Sequence, residues 1–118
     1  MNTILGIDPG LRVTGYGVIH QEKQNFIYES SGTIKTTKQD LDLAARIKII
    51  VKGIDEVIEK FSPSIVAIEK VFVNTNPQST LLLGQARGAA IAAIVSKEIN
   101  IYEYTALQIK KSVVGNGH

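Results

Sequence analysis

SIVAIEK, residues 64–70, is the stretch on which the fold turns. Ile65, Val66, Ala67 and Ile68 follow one another without a polar break, and an acid, Glu69, closes the run. An unbroken apolar run of this length is the pattern of a strand buried on both faces, as at the centre of a parallel sheet. Parallel neighbours need crossover connections, which are usually helices, and the flanking segments supply them. Upstream, apolar residues recur at Leu43, Ile47, Ile50, Ile54, Val57, Ile58 and Phe61. That is the period of an amphipathic helix, despite Gly53, with Ser62-Pro63 as its stop. Thr37-Lys38-Gln39-Asp40 reads as a capping box at its start. Downstream, Asn76-Pro77 pairs an N-cap residue with proline at the first helical position, predicting a second helix over 79–97.

The N-terminal third has a different character. Residues 3–8, 14–20 and 26–35 are short apolar or alternating segments separated by turn residues, predicting a three-stranded antiparallel meander. Residues 100–104 supply one more short strand, followed by a helical fragment near 107–113 and a glycine-rich end, Val-Gly-Asn-Gly-His. The order β-β-β-α-β-α-β predicts an α/β fold, a mixed sheet flanked by helices. At 118 residues the chain is sized for a single domain spanning 1–118. It ends in mid-architecture, so a C-terminal truncation is expected.

Composition narrows the chemistry. Hydrophobic residues are 44% and charged residues 20%, the balance of a folding chain. No run is long enough for a membrane helix and no secretory leader opens the chain, so a cytoplasmic location is expected. The absence of cysteine removes disulfides, thiolate metal sites and a cysteine nucleophile together. A bound metal must use oxygen or histidine. With a net charge of only +2, a nucleic-acid partner must be met by a local basic patch.

Two acids stand at strand ends. Asp8 sits where the first apolar segment breaks into Asp-Pro-Gly, and two readings remain open there. Asp-Pro-Gly is a common turn, Pro9 presetting its φ and Gly10 accepting positive φ, which makes Asp8 punctuation. Alternatively, if the strand ending at Glu69 pairs in parallel with the first, Asp8 and Glu69 face one crevice at the carboxyl edge of the sheet. That edge is where α/β sheets bind ligands. Two convergent carboxylates without cysteine or histidine are hard oxygen ligands suited to Mg²⁺ or Mn²⁺. The plainer alternative is that Glu69 ends a strand and pairs with Lys70 or a helix terminus.

GIDPGLRVTGYGVI (6–19), AIEKVF (67–72), LGQARGAA (83–90) and QIKKSVVGNG (108–117) together resemble, in order and rough spacing, the RuvC-type crossover-junction endodeoxyribonucleases of bacteria. The resemblance covers the whole chain. It implies a ribonuclease H-like fold, a homodimer, and Mg²⁺-dependent nicking of four-way (Holliday) DNA junctions at symmetric positions, in recombination and repair. It also implies two Mg²⁺ ions per subunit in the complete protein, with Mn²⁺ as a substitute, and a branch-migration motor complex as a partner.

Carried onto this chain, the resemblance makes Asp8 and Glu69 the first two acids of a metal-binding tetrad. The other two belong to a C-terminal helix, and no Asp or Glu follows Glu103 here. His118 falls in the Gly-Asn-Gly segment and is not counted as a ligand, while His20 reads as an exposed or hydrogen-bonded strand histidine. Lys110 matches a lysine near the scissile phosphate; otherwise it is a solvated charge, like most surface lysines. Phe72, by resemblance, stacks on an unpaired base, worth roughly 1–3 kcal/mol. Its alternative is packing between sheet and second helix.

Gly84, Gly88, Ala92 and Ser96, spaced four apart, form a small-residue ridge that admits a close helix partner. The partner belongs either to the same monomer or, as the resemblance implies, to a dimer interface carrying Gly84, Gly88 and Ala92. Arg87, one position off the ridge, serves either a cross-subunit or an intramolecular contact. Three functions compete. The first is a junction nuclease, and the second a catalytically incomplete junction-binding dimer, for which the expectation is weak binding without cutting. The third, an ATP-using enzyme of the sugar-kinase or actin type, shares the Gly-Ile-Asp-x-Gly loop but needs a second half that this chain cannot hold.

Overall fold

A computed structural model describes residues 2–38, 41–70 and 77–104. Five strands and two helices alternate as β1 (Asn2–Asp8), β2 (Val13–Glu22), β3 (Asn25–Lys35), α1 (Leu43–Phe61), β4 (Ile65–Glu69), α2 (Pro77–Val95) and β5 (Asn100–Tyr104). They form one sheet in the order β3-β2-β1-β4-β5. β1–β2 and β2–β3 pair antiparallel, whereas β4 lies parallel to both β1 and β5. The fold is the ribonuclease H-like mixed sheet that the motifs imply. The expected C-terminal helical fragment lies outside the described residues.

One face of the sheet is dry. Register places Leu5 beside Val18 and Val66, and Ile7 beside Ile68. These five residues form one core with Ile50, Ile54, Val57 and Ile58 of α1 and Ala86, Ala90, Ala93 and Ile94 of α2. Both helices therefore lie side by side on that face. β4 is central and parallel as expected, but only Val66 and Ile68 are fully buried; Ile65 and Ala67, on the opposite face, are half-buried among the described residues.

Two boundary expectations are corrected. α1 starts at Leu43 with Asp42 as its N-cap, its carboxylate accepting from the Ala45 amide at 2.8 Å, so Thr37 caps nothing. The segment before it is a connection, and the carboxylate adjacent to the apolar stripe wins the cap. α1 ends as expected: Ser62 adopts the left-handed conformation (φ 46°) and its amide donates to Ile58. α2 starts with Pro77 in its first position and ends at Val95, two residues before the expected Lys97; a turn with Glu98 at φ 59° follows. Asn76 lies outside the described residues.

Gly53 is no defect in α1. A Cβ there would sit 2.8 Å from Ile34 Cδ1, so the missing side chain lets the helix close onto β3. On β2–β3, Tyr16 covers its cross-strand partner Gly32, an aromatic over a strand glycine.

Candidate functional site

β1 and β4 deliver one acid each to the same place. The parallel register runs Ile4–Ile65, Leu5–Val66, Gly6–Ala67 and Ile7–Ile68, so Asp8 and Glu69 are the next residues on adjacent strands. Side chains alternate along a strand. With Leu5 and Ile7 in the core, Asp8 belongs to the opposite face, which carries no helix among the described residues, and by the same alternation so does Glu69. Asp8 is exposed and Glu69 half-buried.

The two carboxyl groups sense one another. Burial raises the Glu69 carboxyl above its ordinary value of 4.5; the negative charge of Asp8 raises it further, as does a hydrogen bond between the two side chains. A carboxyl pushed up by a neighbouring carboxylate marks a place where negative charge is under-compensated. A divalent cation held between them relieves that repulsion, and two carboxylate oxygens suit a hard ion that keeps part of its water shell. Among the described residues no cluster of three or more His, Asp or Glu side chains could hold a metal, so the pair is a partial coordination shell.

The floor beside the pair is bare. Asp8 lies across from Gly15, and Gly6 lies between Gly17 on β2 and Ala67 on β4. A Cβ added at Gly15 or Gly17 meets nothing within 4 Å among the described residues. A groove of about 530 Å³ between α1 and the β2–β3 pair, lined by Tyr16, Ile34, Lys52 and Phe61 among others, is separate and holds none of the sequence-predicted site residues.

The turn after Asp8 departs from expectation. Gly10 does not adopt positive φ; it is glycine because a Cβ would collide with the Val13 carbonyl oxygen. Thr14, 1% exposed, clasps Gly10 twice: its hydroxyl accepts from the Gly10 amide at 3.2 Å and donates to the Gly10 carbonyl at 2.9 Å. Thr36, also 1% exposed, donates its hydroxyl to the Leu11 carbonyl and, more weakly at 3.4 Å, to that of Arg12, while its amide donates to the Arg12 carbonyl at 2.8 Å. Arg46 of α1 donates to the Thr36 carbonyl. Sequence reasoning missed all three residues. The one available signal was two hydroxyls at the ends of apolar strands, which is faint.

On the other side of Glu69, the Lys70 amide donates to the Tyr104 carbonyl at 2.6 Å, tying the end of β4 to β5. Arg87 reaches Glu103 on β5 at 2.9 Å, an intramolecular ion pair, and its buried Nε has no hydrogen-bond partner among the described residues. Gly84, Gly88 and Ala92 on α2, and Ser96 in the turn just after it, are exposed, so the ridge is not spent on packing among the described residues. His20 is hydrogen-bonded, to Thr3 at 3.0 Å and to Glu29. Phe72, Lys110 and His118 lie outside the described residues. No helix among the described residues is long and apolar enough to cross a membrane.

Comparison with known proteins agrees with this geometry. A family model described as crossover junction endodeoxyribonuclease RuvC matches residues 4–118. Proteins of that name from Methylobacillus flagellatus and Nitrosomonas eutropha are 60% and 59% identical, each over 98% of this chain. The chain spans 66% and 64% of their lengths, slightly under two thirds. Among solved structures, Thermus thermophilus RuvC in complex with a Holliday junction substrate aligns with a TM-score of 0.87 at 27% identity, covering 100% of this chain and 72% of that one. The yeast mitochondrial Holliday junction resolvase Ydc2 shares the fold, with a TM-score of 0.69 at 14% identity over 96% of this chain and 63% of its own.

Proposed function

This chain belongs to the family of RuvC crossover junction endodeoxyribonucleases, and from that premise we propose that it binds four-way DNA junctions as a homodimer and contributes Asp8 and Glu69 to a divalent-cation site that nicks them. The observation that carries the proposal is the meeting of two carboxylates, from adjacent parallel strands, on a sheet face with a glycine floor. Either acid alone has a structural explanation; mutual repulsion between exposed and half-buried acids does not help a fold.

When bound, Mg²⁺ at such a site supplies positive charge to the attacking water and to the leaving 3′ oxygen of a phosphodiester. Asp8 and Glu69 would hold it. Gly15, Gly17 and Ala67 leave the sheet surface low enough for a phosphate backbone to approach the pair. The Asp8 turn sets the distance between the acids, which governs whether a cation and a phosphate oxygen are aligned. Phe72 and Lys110 are proposed to touch the DNA, one by stacking on a base and the other at the scissile phosphate. The exposed ridge of Gly84, Gly88 and Ala92 is proposed as the twofold contact, the same surface serving both copies, and the cytoplasm as the place of action.

A second reading is favoured by the incomplete shell: a dimer that binds junctions without cutting them. One experiment separates the two. A synthetic four-way junction and a linear duplex of the same sequence are incubated with the protein in Mg²⁺ and in Mn²⁺. Symmetric nicking of the junction alone, lost in Asp8→Asn and Glu69→Gln, supports the nuclease. Junction-selective binding without nicking supports the second reading, and equal binding to both DNAs removes both.

A further inference from the structure

Asp8 is the last residue of β1, paired with Gly15 of β2, and the backbone that follows it leaves the sheet. Between Asp8 and Val13 the chain turns through Pro9, Gly10, Leu11 and Arg12, and the polar groups of that turn are taken up by side chains from elsewhere. Thr14 occupies both the amide and the carbonyl of Gly10. Thr36, at the end of β3, takes the carbonyls of Leu11 and Arg12. Arg46 takes the Thr36 carbonyl from the first turns of α1, with a second contact to the Thr36 hydroxyl at 3.3 Å. One chain of contacts therefore runs from the helix layer through the Thr36 hydroxyl to Leu11 and Arg12, while the Thr14 hydroxyl holds Gly10 from β2.

We propose that Thr14 and Thr36 are positioning residues: by clasping the 9–12 turn with buried hydroxyls they fix the Asp8 carboxylate relative to Glu69 and so set the cation affinity of the pair. This deepens the metal-site reading above and rests on it. Each hydroxyl acts in two senses at once. Thr14 donates to the Gly10 carbonyl while accepting its amide; Thr36 donates to the turn while accepting from Arg46. Valine has the shape of threonine but can do neither, whereas serine can do both. Buried polar groups left without partners are costly, so a turn deprived of the Thr14 hydroxyl shifts to find water and pulls on Asp8, the strand-end residue joined to it. Gly10 has little room to adjust in place, because the Val13 carbonyl oxygen fills the space where a Cβ would lie. Glu69 closes β4 opposite Tyr104 of β5 and is not joined to this turn, so a shift of the turn acts on the Asp8 side of the pair.

The test uses Mn²⁺ as probe, titrated by the electron paramagnetic resonance signal of the free ion, with wild type, Asp8→Asn, Thr14→Val, Thr14→Ser and a core control, Ile54→Val. Folding is followed by circular dichroism and thermal melting. Wild type should bind and Asp8→Asn should not; equal binding by those two overturns the metal-site reading itself. Given that difference, Thr14→Val should bind about tenfold more weakly, the range seen when supports behind a metal ligand are removed. Thr14→Ser should stay within about twofold of wild type, and Ile54→Val should lose stability without losing affinity. A folded Thr14→Val with wild-type affinity overturns the positioning role. If Thr14→Val does not fold, Arg46→Met serves in its place, since it removes only the outermost contact; about threefold weaker binding supports the role, and unchanged affinity overturns it.

Discussion

Replacing Asp8 by asparagine should make the cation-free protein more stable while destroying its response to cations. Asp8 and Glu69 meet on one face, and the charge of Asp8 is one of the causes that lift the Glu69 carboxyl above 4.5, after burial and ahead of the hydrogen bond. Two unit charges about 4 Å apart interact by about 1 kcal/mol in a water-like surrounding and about 4 kcal/mol at an effective dielectric of 20. Asp8 is exposed, so the lower figure applies, about 1 kcal/mol or less at pH 7. For a domain of this size that is a rise in Tm of about 3–5 °C. The effect has a direction in pH. With Glu69 raised, the folded state holds more protons than the unfolded chain between 4.5 and the raised value. The contribution of Glu69 to stability is therefore fully present below 4.5 and falls as pH rises through that window. Asp8→Asn should flatten the fall without abolishing it, because burial still raises Glu69, and the two proteins should converge in acid. Cation reverses the order: at ten times its Kd, wild type gains about 1.4 kcal/mol that the variant does not. Thermal melts from pH 4 to 8, with and without Mn²⁺, read all of this. A variant that melts below wild type at pH 7 without cation, or a gap indifferent to Mn²⁺, would refute the reasoning.

Gly88→Leu should fold normally, since a Cβ there meets nothing within 4 Å among the described residues, but should shift sedimentation toward monomer if the ridge is the twofold contact. Gly53→Ala should lower stability by about 1 kcal/mol in urea melts: overpacking against Ile34 costs about 1–3 kcal/mol, partly offset by about 1 kcal/mol of helix propensity. Gly15→Ala should be neutral or stabilising by about 0.5–1 kcal/mol, because strand glycine is entropically costly. Gly15→Leu should keep the fold and weaken junction binding in a gel-shift assay by filling the floor beside Asp8.

What could be read from the sequence and what could not divide along a physical line. The strands were legible because periodicity is local: alternation fixes which residues of a strand face the core, while the unbroken run at 65–68 marks an interior strand without choosing its core face. The site was legible one step further out. Asp8 and Glu69 are 61 positions apart, yet once β1 and β4 are parallel neighbours their strand-end positions coincide. Three features escaped for the opposite reason, that each depends on two elements meeting. The Thr37–Asp40 capping box is a sound local pattern, but Asp42 lies immediately before the helix that the sheet accepts. Gly53 looks like a helix defect until Ile34 is placed against it. Thr14 in β2 and Thr36 just past β3 look ordinary until the turn between β1 and β2 is placed against them. Local pattern thus specified which backbone carries each acid, while the groups that hold that backbone still come from β2, β3 and α1 and carry no pattern of their own. A search for such supports in other sheets should begin from unpaired turn carbonyls beside a strand-end acid and look outward for buried hydroxyls, because the turn's unmet hydrogen bonds are what select them.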